Sequence, residues 1–192
     1  MTPRASFERP GDRPSRQEGS RPVSWQAGVQ VPAPLRLHEA IVRAEWVDYN
    51  GHLTEWAYLL MVGDDSDAFF RFLGIDDDYR ASGRSIYTVE THMHHLREVT
   101  LGERLRLSLH VLDVDDKRLH IVHEMHCGSG ALVATAEQML LHVNTRAGKV
   151  DPFPPEIGER LRQIRAAHAA LPVPGYIGHV MGIPGEPAPA GG

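Results

Sequence analysis

Apolar and polar positions change their period along the chain, and each change marks an element. From Leu35 to Val47 the residues Ala40, Val42, Ala44 and Trp46 alternate with their neighbours, the two-residue period of a half-buried strand. The run Asp48-Tyr49-Asn50-Gly51-His52 breaks this alternation with turn formers, and Thr54 stands where a helix cap is expected. From Leu53 to Leu73 the period becomes helical. Trp56, Leu60, Gly63 and Phe70 fall near one face, and Gly74 occupies the place of a C-terminal stop. Past a loop through Asp76-Asp77-Asp78 the chain reads as strands over Ser85–Val99, Glu103–Val114, Arg118–His126 and Ala131–Thr145, with turns at Asp115-Asp116 and Gly128-Ser129-Gly130.

Strand, one long helix and then strands in hairpin succession predict an α+β fold. Its single antiparallel sheet of about five strands has to curl around the helix to cover it. The outer edge and open face of such a sheet favour self-association, which removes an exposed edge.

The flanks differ from this core, which spans residues 35–148. Residues 1–34 are rich in Pro, Arg, Ser and Gly with few large apolar side chains, and are expected to form a disordered tail. Residues 149–170 read as a Pro-rich connector and a short helix, Glu156 to Ala170, with Ile157, Leu161 and Ile164 on a narrow stripe. Residues 171–192 read as a second, Pro/Gly-rich tail, docked in part through Tyr176, Ile177, Val180 and Met181.

Composition narrows the function classes. The 192 residues allow one ordinary domain, and 42% hydrophobic with 23% charged residues is a globular balance. A net charge of −5 gives no basic footprint for nucleic acid. The apolar runs are far short of the about 20 residues that a membrane-spanning helix needs. The N-terminus shows no secretory apolar stretch and Cys127 is the single cysteine, so a reducing cytoplasm is the expected location.

The candidate chemistry lies at the joint between first strand and helix. Asp48 ends the strand immediately before a helix N-terminus, where unpaired backbone N–H groups and a positive dipole end can hold a developing oxyanion. A carboxylate there serves as nucleophile or general base toward a polarised acyl carbonyl. Physics alone leaves open a plainer reading, in which Asp48 is a turn former and Asn50-Gly51 a tight bend.

Asp48-x-Asn50-Gly51-His52-Leu53, followed by the helix carrying Tyr58 and then the strands, resembles the hotdog-fold acyl-CoA thioesterases of the 4-hydroxybenzoyl-CoA thioesterase type over roughly residues 35–147. Within them, Val47 to His52, Gly63-Asp64, Asp67-Ala68, Tyr87 to His92, Lys117 to His120 and Ala134 to Val143 look like the betainyl-CoA thioesterase group of carnitine degradation, whose domain also occurs fused to carnitine dehydrogenase. The resemblance implies a hotdog fold, hydrolysis of betainyl-CoA to glycine betaine and CoA, and no cofactor, coenzyme A being part of the substrate. It implies that Asp48 is the catalytic carboxylate, by direct attack or by activating water. It places the carbonyl-polarising amides near Thr54 and Glu55, with Asn50, Gly51 and His52 of the turn among the substrate-binding residues. It also implies a homodimer or a dimer of dimers. Alternatives are a hotdog thioesterase for another short or aromatic acyl group, and a non-hydrolytic acyl-CoA-binding protein.

A trimethylammonium group needs aromatic faces and negative charge. Trp46, Trp56, Tyr58 and Tyr87 are the candidate aromatics. Asp64 and Asp67 are candidate anions because they share a helix face with Leu60, although Asp67 can equally pair with Arg71 at i+4. The histidine groups His92-x-His94-His95 and His120-x-x-His123-x-x-His126 split between strand faces, so no metal site is expected. Glu90 and Glu137 read as structural partners for His or Arg. Arg97, Arg104, Arg106 and Arg118 are candidates for the CoA phosphates.

Overall fold

In the computed structural model, residues 24–182 are described. Strand β1 (Glu39–Ile41) is followed by a 3-10 turn (Ala44–Trp46), the long helix α1 (Glu55–Phe72) and a short helix α2 (Asp77–Ala81). Four long strands come next: β2 (Arg84–His95), β3 (Arg104–Val114), β4 (Arg118–His126) and β5 (Leu132–Asn144). The two-residue β6 (Lys149–Val150) and helix α3 (Pro155–His168) complete the described elements. All pairings are antiparallel, in the order β1-β3-β4-β5-β2, with β6 on the end of β5. Register shifts at Thr88/Glu90, Val111/Asp113 and Met125/His126 bend the strands so that the sheet curls over α1. This is the α+β hotdog architecture expected from the sequence.

Two expectations shift. The first strand is cut to three residues because Arg43 to Val47 leave the ladder for the 3-10 turn; Ala40, Val42 and Trp46 are buried as the alternation requires, while Ala44 is exposed. The buried side of α1 is Ala57, Tyr58, Met61, Val62, Asp65, Ser66, Phe69 and Phe72. Trp56, Leu60 and Gly63, taken from the sequence as the packing face, are exposed. The helix is apolar on two sides, so periodicity alone did not say which one the sheet takes.

The core has two parts under one sheet. One gathers Ala57, Met61, Leu105, Leu107 and Met125 near the start of α1. The other gathers Phe69, Leu109, Leu119, Ile121 and Leu140, and is closed by Ile157, Leu161 and Ile164 of α3. These three α3 side chains are at most 2% exposed, and each contributes about 1.5–3 kcal/mol of burial free energy.

The flanks are more ordered than their composition suggests. Residues 24–34, assigned from sequence to a disordered tail, are tied down: the Trp25 amide donates to the Phe72 carbonyl at 2.9 Å, the rings of Trp25 and Phe72 meet edge to face at 5.8 Å, and the Pro32 carbonyl bonds His168. One aromatic anchor outweighs the polar composition around it. The remainder of the expected tail, residues 1–23, lies outside the described residues. After α3 the chain crosses the outer face of the sheet, where the Tyr176 hydroxyl donates to Glu124 at 2.6 Å and the Gly178 amide to Glu137 at 2.8 Å. Val180 and Met181 are 83% and 95% exposed, so neither docks as expected. Residues 183–192 of this tail also lie outside the described residues.

Candidate active site

The turn between β1 and α1 is a small closed loop. Val47 bridges Leu53, the Asp48 amide donates to the His52 carbonyl at 2.9 Å, and the Gly51 amide donates to the Asp48 carbonyl at 3.0 Å. Gly51 has a left-handed backbone with φ 79°, a conformation costly for a residue with a Cβ. The loop organises one carboxylate. Asp48 Oδ1 accepts from the amides of Asn50 at 2.8 Å and His52 at 3.2 Å, while Oδ2 accepts from the Asn50 side-chain amide at 3.3 Å. The His52 amide has the largest effect and desolvation, which opposes it, the next; with the two Asn50 donors added, the Asp48 carboxyl is held below its usual range. Asn50 and His52 are thus held at Asp48, with Gly51 shaping the turn between them.

The start of α1 meets this loop. Thr54 occupies the cap position, but its hydroxyl donates to the Trp46 carbonyl at 2.9 Å and does not cap the helix. Its amide donates to the same carbonyl at 2.8 Å, so Thr54 is not a carbonyl-polarising donor. Glu55 and Trp56, the first two helical residues, carry amides with no intrahelical acceptor, because acceptors four residues back lie outside the helix. Of the amides expected at Thr54 and Glu55, the Thr54 one is therefore engaged by Trp46, while those of Glu55 and Trp56 have no intrahelical acceptor.

Beside them is a cleft of about 410 Å³ between the turn, the first turn of α1 and the segment His95 to Glu98 that leaves β2. Tyr58 forms its buried wall, 4% exposed, with its ring edge-on to His95 at 4.7 Å and its hydroxyl donating to the Arg97 carbonyl at 3.4 Å. Burial pushes the Tyr58 phenol up, aided by the carboxylates of Glu103 and Glu98, so it stays neutral. His52 Nε2 stands 3.4 Å from Glu98, linking the loop to the opposite rim. A depression of about 510 Å³ at Gln30 to Ala33 and Ala167 is lined by no ionisable residue.

The other candidates separate. Trp46 is core, with the Arg43 guanidinium 4.9 Å from its ring centre, and Trp56 is 53% exposed. Tyr87 is at the far end of β2 from the cleft, eight residues or about 26 Å from His95. Asp64 is half-buried on the flank of α1, and Asp67 lies 3.6 Å from Arg71. Arg104 and Arg106 meet Glu39 and Arg118 meets Asp115, which leaves Arg97 as the phosphate candidate that lines the cleft. His92 pairs with Glu90 and His120 with Glu137, the structural roles expected for both glutamates.

Sequence reading missed the one fully buried carboxylate among the described residues. Asp65 accepts from His123 Nδ1 at 2.7 Å; His123 Nε2 lies 3.3 Å from both Ser66 Oγ and Gln138 Oε1, and Gln138 donates on to Thr91 at 3.2 Å. The signal was present, since Asp65 is four residues from both Met61 and Phe69 on the true packing face. Glu98 was likewise missed, because nothing in a strand's own pattern places its exit against a helix start.

Comparison with known proteins agrees with this geometry. The family model for the thioesterase-like superfamily matches residues 42–161. An Agrobacterium fabrum protein named L-carnitine dehydrogenase/betainyl-CoA thioesterase is 48% identical over 150 residues, covering 78% of this chain and 31% of its own length. A Rhizobium meliloti protein of the same name is 44% identical over 165 residues, covering 82% of this chain and 33% of its own. The chain thus spans about a third of these fusion proteins. It covers 96% of a Pseudomonas aeruginosa protein named betainyl-CoA thioesterase, 43% identical over 152 residues and 78% of this chain. Among solved structures, a Staphylococcus aureus protein in complex with CoA superposes with a TM-score of 0.72 at 25% identity, covering 81% of this chain and all of that one. The DHNA-CoA thioesterase of Staphylococcus aureus shares the fold with a TM-score of 0.64 at 15% identity, covering 69% of this chain and 91% of that one. A curled antiparallel sheet around one helix, a carboxylate at that helix's start and these relatives agree: the chain belongs to the thioesterase-like superfamily of hotdog-fold proteins.

Proposed function

We propose that the chain is an acyl-CoA thioesterase that hydrolyses betainyl-CoA to glycine betaine and free CoA, a step of carnitine degradation. The observation that carries the reading is the ionised Asp48 beside the first amides of α1, in a chain 43–48% identical to proteins named betainyl-CoA thioesterase. The Glu55 and Trp56 amides polarise the thioester carbonyl, and the dipole of α1 favours the negative charge that grows on its oxygen. Two balanced routes use Asp48. In one, its oxygen bonds the carbonyl carbon as the C–S bond breaks; the CoA thiolate leaves and is protonated, and water then cleaves the mixed anhydride. In the other, Asp48 takes a proton from water as the hydroxide adds, and that proton passes to the departing thiolate. A single turnover in ¹⁸O-water separates them, because only the first route can place label in Asp48.

The acting form in this reading is a homodimer or a dimer of dimers. Support comes from β2, which has β5 on one side and no strand on the other among the described residues, with Tyr87 and Val89 over half exposed. The exposed Trp56, Leu59 and Leu60 on α1 are the apolar surface a second copy would cover. No helix among the described residues is long and apolar enough to cross a membrane, and a cytoplasmic location suits a CoA thioester substrate. The test is an acyl-CoA panel with Asp48→Asn. Hydrolysis of betainyl-CoA that Asp48→Asn abolishes while CoA binding survives supports the reading, and full activity in the variant refutes it.

A further inference from the structure

Both routes to hydrolysis share one demand: a proton has to reach the sulfur of the departing CoA thiolate. A carbonyl held at the Glu55 and Trp56 amides puts its carbon at Asp48, and the sulfur is bonded to that carbon. The proton donor therefore stands within a few ångströms of Asp48, on the cleft. The N–H and O–H side chains that line the cleft are His52, Tyr58, His95 and Arg97. A guanidinium does not give up its proton in a protein. Tyr58 is 4% exposed, its hydroxyl already donates to the Arg97 carbonyl, and burial pushes its phenol up. The His95 ring stands edge-on to Tyr58 at 4.7 Å, at the end of β2 and across the cleft from the turn.

His52 is placed differently. Its amide donates to Asp48 Oδ1 at 3.2 Å and its carbonyl accepts from the Asp48 amide at 2.9 Å. A bridge between His52 and Thr100, and the Leu53 amide donating to the Val99 carbonyl at 2.8 Å, seat this backbone against the segment that leaves β2. The ring is half-buried, and its charge is one of the lesser influences that lower the Asp48 carboxyl. Nε2 stands 3.4 Å from Glu98, and a carboxylate beside an imidazole holds the ring in one orientation. Resting on the reading of the chain as a thioesterase, we propose that His52 is a second catalytic residue, the acid that protonates the CoA sulfur. In the direct route the Asp48 oxygen bonds the carbonyl carbon, the C–S bond breaks, and the imidazolium gives its proton to sulfur. The neutral ring then takes a proton from the water that cleaves the anhydride, which restores the imidazolium and frees the Asp48 carboxylate. In the water route Asp48 takes a proton as hydroxide adds, the imidazolium protonates sulfur, and the Asp48 proton passes to the ring. Either way one water is consumed, and one proton goes to solvent as the product acid ionises. Every group in these steps belongs to one chain, so a second copy on α1 and β2 can wall the cleft without changing the assignment.

The test varies the leaving group. Wild type and His52→Gln are assayed on betainyl-CoA and on the betainyl thioester of 4-nitrothiophenol, whose thiolate is stable enough to leave unprotonated. Glutamine keeps the backbone bonds to Asp48 and Thr100 but is no acid. In His52→Gln, kcat/KM for betainyl-CoA should fall about 10²-fold while that for the nitrothiophenyl thioester stays within about threefold of wild type. A histidine that only shapes the turn disturbs Asp48 and slows both substrates alike, so equal falls overturn the assignment. A betainyl-CoA value within about threefold of wild type overturns it too. Added imidazole gives a second reading with the natural leaving group. It should restore part of the betainyl-CoA rate in His52→Ala and none in Asp48→Asn, and no restoration in His52→Ala overturns the assignment. A wild type that hydrolyses neither thioester refutes the thioesterase reading itself, a result distinct from an active wild type that His52→Gln leaves unchanged.

Discussion

Replacing His168 with phenylalanine removes a buried ring that ties three parts of the chain together. His168 is fully buried at the end of α3; its Nδ1 accepts from the Val111 amide of β3 at 3.0 Å, and its Nε2 donates to the Pro32 carbonyl at 3.0 Å. Phenylalanine fills the volume but leaves the Val111 N–H without its acceptor, at about 1–3 kcal/mol, and loses the Pro32 bond at about 0.5–1.5 kcal/mol. The sum of about 2–4 kcal/mol corresponds to a Tm lowered by roughly 5–15 °C in a chain of this size. The same geometry fixes the pH dependence. Val111 needs an unprotonated Nδ1, and burial holds the His168 pKa below its ordinary 6.5, outweighing the Pro32 bond that raises it. The folded state therefore binds this proton less readily than the unfolded chain. The stability contributed is fully present above about pH 6.5 and is lost as pH falls through the lower folded pKa. His110, 5.5 Å away, is pushed down chiefly by burial and adds a slope of the same sign. Thermal unfolding of wild type and His168→Phe between pH 8 and 5 checks the reasoning: the wild type should lose more Tm on acidification, so the two curves converge. Parallel curves, or a variant as stable as wild type at pH 8, would refute it.

Other outcomes follow from the site and the core. Asp65→Ala leaves the buried His123 without its carboxylate and should cost about 3–5 kcal/mol in denaturant unfolding, with Asp65→Asn retaining part of it; a loss under 1 kcal/mol for Asp65→Ala would show the pair to be dispensable. Gly51→Ala forces a Cβ into a left-handed backbone with nothing within 4 Å to clash, so it should cost about 1–2 kcal/mol through strain alone and lower kcat by disturbing the amides on Asp48. Unchanged kcat would separate the loop's shape from the chemistry. Leu60→Glu on the exposed side of α1 should shift the proposed dimer to monomer in light scattering while the isolated fold persists, and an unaltered mass would place the interface elsewhere.

The long elements were legible because their periods are long. The strand expected over Arg118–His126 is β4 itself, and the long helix differs by two residues at its start. Asp48 and its turn were legible for another reason: an Asp-x-Asn-Gly-His run makes its hydrogen bonds within five residues. What depends on tertiary placement was not readable. The side of α1 that the sheet covers decides that Asp65 is buried while Asp64 and Asp67 lie on the flank, and a pattern apolar on both sides leaves that undetermined. The Thr54 amide was misjudged because its acceptor, Trp46, reaches it only through the bridge between Val47 and Leu53. Trp25 was assigned to a tail since its partner Phe72 is far away in sequence.

The clasp formed by Tyr176 and Gly178 on the back of the sheet bears on how copies of this chain add together. Glu124 and Glu137, which would otherwise offer acidic handles on that face, are occupied by the chain's own C-terminal segment. The sheet's other edge, β1, is three residues long and offers little ladder to extend. The flank that joins an open strand to an apolar helix face is the one at β2 and α1. A body that adheres through one self-complementary flank pairs and stops, whereas one adhesive on opposite sides grows into filaments. If the chain pairs through β2 and α1 as proposed, the clasp covers the back of the sheet against further copies there.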